Sequence, residues 1–155
     1  MKVTLSKGMV LAGLTLILGS AAYATAAEPA KLTAADRLLI GAQKICPVSG
    51  DPLHAMHGPV KANVGGQTVF LCCKGCFGKK ISAANWAKVT ANLAAAQGIC
   101  PVMKRPLPKN PVSTIVAGRR VFVCCKPCTK KIAADPKKYL AIVDAQLKKN
   151  VKTRK

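Results

Sequence analysis

Acidic residues are nearly missing from this chain: five Asp and Glu face 25 Lys and Arg among 155 residues. Histidine is rarer still, with two, and aromatic residues make up only 4%. The few acids, the two histidines confined to one short stretch and the lack of any nucleophile–base pattern leave no catalytic constellation, so the chain reads as non-enzymatic. Scarce aromatics leave little for stacking nucleobases. The positive charge therefore has two other readings. It draws the protein to an anionic surface, or it keeps an Ala/Val-rich chain soluble.

The ends of the chain are the least fold-like. Lys2 and Lys7 precede an apolar core, Met9 to Leu18, and then a run of small residues in which Ala24-Thr25-Ala26 fits a cleavage site. This is the layout of a signal peptide over residues 1–27. An uncleaved anchor is the competing reading, since Gly8 to Ala27 reaches the roughly 20 residues a bilayer needs. No cysteine stands at the cleavage point to accept a lipid. The expected location is periplasmic or secreted, with no transmembrane span in the mature chain. Export also argues against nucleic acid as a partner. The closing "LKKNVKTRK" reads as a frayed, solvated end.

What lies between is duplicated. "QKICPVSGDPL" (Gln43 to Leu53) recurs as "QGICPVMKRPL" (Gln97 to Leu107), and "VGGQTVFLCCKGC" (Val64 to Cys76) as "VAGRRVFVCCKPC" (Val116 to Cys128). Within each copy two β-rich runs flank a two-residue turn suited to positive φ: Val60–Val64 with Gln67–Cys72, and Val112–Val116 with Arg119–Cys124. Helix-favouring sequence follows each hairpin. Ile81, Trp86, Val89 and Leu93 share one helical face; Tyr139, Leu140, Val143 and Leu147 share another in a helix opened by Asp135-Pro136. Thr33 caps one further amphipathic helix reaching Ala42. The predicted fold class is α+β: two small units, each a β-hairpin followed by a helix.

All eight cysteines belong to the copies: Cys46, Cys72, Cys73 and Cys76 in the first, Cys100, Cys124, Cys125 and Cys128 in the second. A unit this small needs a staple, either a metal ion or disulfides. Three cysteines at a hairpin end, with a fourth from a separate turn, can gather their sulfurs around one ion. Adjacent cysteines pair with difficulty as a disulfide, whose geometry limits partners. A thiol-redox reading rests on Cys73-x-x-Cys76 and Cys125-x-x-Cys128, but a hairpin is the wrong context for it. Spacing thus favours a transition-metal ion, zinc or copper, without choosing between them. Lys74, Lys79, Lys80, Lys126, Lys130 and Lys131 are expected to lower the thiol pKa values. The alternative is a disulfide-stapled basic secreted module that binds an anionic surface or a protein partner.

"CPVSGDPL … VFLCCKGCFGKKI" and "CPVMKRPL … VFVCCKPCTKKIAADPKKYL" resemble the YHS domain and the related TRASH-type heavy-metal-binding domains. The second copy is the closer, through its ending Cys128 to Leu140. The resemblance implies treble-clef-like units that capture, deliver or buffer a heavy metal. It aligns Cys72 with Cys76, and Cys124 with Cys128, as family ligands, with Cys46 and Cys100 as the leading ones. Cys73 and Cys125 are additions, each a candidate fourth ligand.

The expected organisation is a signal peptide (1–27), an N-terminal helical segment (28–44), two YHS-like units (45–96 and 97–148) and a basic tail (149–155). One feature has no counterpart in the second copy. "HAMH" places His54, Met56 and His57 just after the Cys46 turn. Imidazole and thioether suit a copper site, so these three are possible additional ligands, or else residues of a plain polar loop. Met103, at the position of Ser49, is a soft ligand or a packing residue.

Overall fold

A computed structural model of the chain describes residues 32–152. The expected signal peptide lies outside them, as does the end of the basic tail. Among the described residues no helix is long and apolar enough to cross a membrane.

The first element among the described residues is α1 (Ala34–Gln43), whose start is chemically specified. The Thr33 hydroxyl accepts from the Asp36 N–H, and the Asp36 carboxylate accepts from the Thr33 N–H at 2.9 Å, a closed capping box. Burial works to raise the Asp36 pKa. The Lys61 ammonium at 2.9 Å and the Thr33 donors outweigh it and hold the carboxyl below its ordinary value. A hairpin of β1 (Val60–Val64) and β2 (Gln67–Leu71) follows, then a single 3-10 turn over Lys74–Cys76, then α2 (Ala83–Gln97). The second half repeats the order with β3 (Val112–Val116), β4 (Arg119–Val123), α3 (Lys126–Ala134) and α4 (Pro136–Lys152). The expected α+β class, two antiparallel hairpins each leading into helix, is what the chain adopts.

Each hairpin has the register its turn demands, Val64 opposite Gln67 and Val116 opposite Arg119. The turns are Gly65-Gly66 and Ala117-Gly118, with φ positive at all four residues. Ala117 therefore holds, at φ 47°, a conformation that its Cβ makes costly, where the first copy has glycine. The reverse exchange occurs after the helices: Lys44 closes α1 at φ 67° where Gly98 closes α2 at φ 69°. The backbone has been kept at these equivalent points although the side chains have not.

Phe70 and Leu71 of β2, with Val121, Phe122 and Val123 of β4, are buried in one core with Val89, Leu93, Val143 and Leu147. Ile81 and Trp86, expected on the buried face of α2, are only half-buried. Trp86 instead lies under the Arg120 guanidinium, 6.0 Å from ring centre to charge. The hairpins also touch: Thr68 N–H donates to the Gly118 carbonyl at 2.6 Å, and Arg120 Nε to Gln67 Oε1 at 2.7 Å. α2 packs on both α1 and α4. It closes the first unit and opens the second, so a boundary drawn between residues 96 and 97 falls in its last turn.

Two local differences correct the sequence reading. The expected frayed end is helical to Lys152, with Leu147 buried and Val151 packed against α1. A Cβ on Gly41 would sit 2.6 Å from Val151 Cγ1, so the small residue in α1 is what admits the tail. Second, a nine-residue helix, α3, stands where the first copy has only a 3-10 turn. Pro127 in its first turn favours helix, whereas Gly75 and Gly78 in the first copy oppose it.

Candidate metal centre

The leading cysteine of each unit sits in a tight knuckle directly after a helix. In the first, Cys46 N–H donates to the Asp51 carbonyl at 2.8 Å, and Gly50 N–H to the Cys46 carbonyl at 2.9 Å. In the second, Cys100 N–H donates to Arg105 O at 2.9 Å and Lys104 N–H to Cys100 O at 2.8 Å. An isolated bridge closes each knuckle, Ile45 with Pro52 and Ile99 with Pro106.

Each knuckle is tied to the hairpin by a fully buried glutamine. Gln43 Nε2 donates to the carbonyls of Ile45 (2.9 Å) and Phe70 (2.6 Å), and its Oε1 accepts from Phe70 N–H at 3.0 Å. Gln97 makes the same three bonds, to Ile99 O at 3.0 Å, Phe122 O at 2.6 Å and Phe122 N–H at 2.9 Å. The side-chain amide behaves as a short extra strand on β2 and β4, two residues before Cys72 and Cys124. It holds the leading cysteine in register with the trailing ones.

This scaffold brings the sulfurs of Cys46, Cys72 and Cys76 within 4.8 Å of one another, and likewise those of Cys100, Cys124 and Cys128. All are free thiols. In the first trio Cys76 Sγ is 3.8 Å from Cys46 Sγ and 3.7 Å from Cys72 Sγ. A tetrahedral ion with metal–sulfur bonds of about 2.3 Å separates its ligands by about 3.8 Å. These two edges therefore match those of a thiolate-bound ion.

The middle cysteines are placed differently. Cys73 Sγ reaches Cys76 Sγ at 4.0 Å from outside the first trio. Cys125 Sγ lies 3.3 Å from Cys128 Sγ and 3.8 Å from Cys124 Sγ, nearer its neighbours than Cys73 is to Cys76, yet it too stands outside the group that includes Cys100. Met56 and His57 are exposed and line a cleft with Cys73; His54 is exposed and outside that cleft. Met103 is 50% exposed and does not pack.

The electrostatics of the first trio favour one thiolate among neutral thiols. Burial opposes ionisation of Cys46. The N–H groups of Ser49, Cys72 and Val48 and the Ser49 hydroxyl overcome it and draw the thiol down to about 7. Ser49 also lies 3.5 Å from Cys72 Sγ and pulls that thiol down, yet burial and the Cys46 sulfur raise it on balance. Burial and the neighbouring sulfurs push Cys76 up to about 12. Cys128 is likewise raised to about 12, by burial and by Cys125, Cys124 and Cys100. Cys125 is lowered, first by its bond from Cys128 and also by the Arg105 guanidinium.

The lysines expected to acidify the thiols are all exposed. Backbone N–H groups do that work in the first unit, and in the second the nearby cation is Arg105, whose own pKa is raised by Cys124. The glutamines and Arg105 escaped sequence reasoning. The glutamines left a signal in the repeated Gln-x-Ile-Cys-Pro; Arg105 left none. Comparison of the chain with protein-family models, curated proteins and solved structures finds no match.

Proposed function

We propose that this chain is an exported, non-enzymatic binding protein that captures, delivers or buffers a thiophilic transition-metal ion, zinc or copper, in two YHS/TRASH-like units. The observation that carries the reading is the pair of three-thiol groups with sulfur–sulfur edges of 3.7 and 3.8 Å in the first. Cys46, Cys72 and Cys76 hold one ion; Cys100, Cys124 and Cys128, joined by Cys125, hold the other. Soft thiolates supply the affinity, and the buried glutamines and amide-to-sulfur bonds orient them before the ion arrives. The N-terminal leader supports export, and the scarcity of acids supports a role without catalysis.

Metal analysis of protein purified under reducing conditions tests this. About one equivalent of metal per unit is expected, with Cys72→Ser and Cys124→Ser each losing one of the two. A chain that takes up no metal, and whose cysteines resist alkylation because they are paired, would overturn the reading in favour of a disulfide-stapled module.

A further inference from the structure

The "HAMH" segment, present only in the first unit, forms with the start of the 3-10 turn a cleft of about 360 Å³. Met56, His57 and Cys73 line it, together with Gly58, Val60 and Lys74. A thioether, an imidazole and a thiol thus face one small volume, and Met56 is left 55% exposed although it is apolar. The cleft is also adjacent to the buried trio, because Cys73 Sγ on its wall is 4.0 Å from Cys76 Sγ inside.

We propose that this cleft is an entry port, in which Met56, His57 and Cys73 receive a soft monovalent cation of the Cu(I) class and pass it inward. This rests on the reading that the Cys46–Cys72–Cys76 trio binds metal, and adds to it a route and a preference. The donor set carries the preference, since thioether and thiolate select Cu(I). Charge agrees: one thiolate and two neutral donors balance a single positive charge. A divalent ion would keep a net charge in a protein with 25 basic and only five acidic residues. Transfer is ligand exchange without redox change. The bonds from the ion to Met56 sulfur and His57 nitrogen break as a bond to Cys76 sulfur forms; the bond to Cys73 then breaks as Cys46, 3.8 Å from Cys76, replaces it as a thiolate, and Cys73 takes up a proton. The Cys76 proton leaves to solvent. The second unit, with Pro108-Lys109-Asn110 in place of the insertion, has neither histidine nor methionine at that point. It has no such port.

The chain's two histidines make the test direct. Ag(I), a redox-inert probe, is titrated below one equivalent into reduced, 15N-labelled full chain. The His57 imidazole nitrogens are expected to shift while those of His54 do not, and Cys73→Ser should abolish the shift. Cu(I) transfer from a chromophoric chelator should slow about tenfold in the Met56→Leu/His57→Gln double variant, the scale on which metal-site neighbours act. If the thiolate–silver absorption grows while His57 stays unmoved, the port is overturned and the trio stands. If no thiolate–silver absorption develops in the unaltered chain, the trio reading fails and the port falls with it.

Discussion

The two units share a backbone but not a microenvironment. Knuckle, buried glutamine, hairpin register and the positive φ of the hairpin turns and helix ends coincide. The surroundings of the sulfurs diverge. In the first unit Cys72 is buried, the Ser49 hydroxyl touches it, and the middle cysteine faces a cleft. In the second Cys124 is half-buried, an arginine stands beside it, and the middle cysteine closes on its neighbours. A duplicated scaffold thus holds thiols in place through the main chain and the buried glutamines. The side chains next to them are then free to give one site a neutral donor and the other a cationic one.

The shared part of the comparison can be broken most severely at the glutamines. Gln43→Leu and Gln97→Leu each strip partners from a buried phenylalanine N–H and carbonyl, at a cost of about 3 kcal/mol or more. Denaturant unfolding should show nearly equal losses; a large loss at one glutamine alone would break the equivalence of the units. The divergent part is sharpened by Ser49→Ala and Arg105→Gln, each lowering the metal affinity of its own unit about tenfold, or about 1.4 kcal/mol. Competition with a chelator measures both, and the informative result is that neither change spreads to the other unit. The smallest effects come from exchanging residues between equivalent backbone positions. Lys44→Gly and Ala117→Gly should each stabilise by about 0.5–1 kcal/mol, since glycine relieves the positive φ. Gly65→Ala should destabilise by a similar amount. Thermal unfolding reads all three, and a loss of stability in Ala117→Gly would show that its turn is not the strained partner.

Much of this architecture was legible because it is local. The Gly-Gly and Ala-Gly turns between alternating β-rich runs specify hairpins, and Thr33 with Asp36 specifies a helix start; each signal spans a few residues. The repeat supplied the rest, since Cys46 and Cys100 recur ahead of their hairpins at distances that differ only by the two-residue insertion. The tail was misread for the opposite reason. "LKKNVKTRK" is solvated by composition, and the contacts that hold its described part, Val151 beside Gly41 and Asn150 donating to Ala96 O at 2.8 Å, lie more than fifty positions away. α3 has only a faint local signal, because helix formation there turns on Pro127 against Gly75 and Gly78, a small bias in a short segment.

By itself, the sequence determined that eight thiols lie in two equivalent sets, each at the join of hairpin and helix, because spacing and duplication are properties of the chain. Only the tertiary structure decided which sulfurs meet. Cys73 and Cys125 hold identical places in the repeat, yet one faces a cleft shared with Met56 and His57 and the other packs against two sulfurs. The sulfur–sulfur distances depend on how the 3-10 turn or α3 continues beyond the cluster, and the pKa of each thiol depends on which amides and charges then surround it. Those are consequences of packing between segments distant in sequence, where no local pattern reaches.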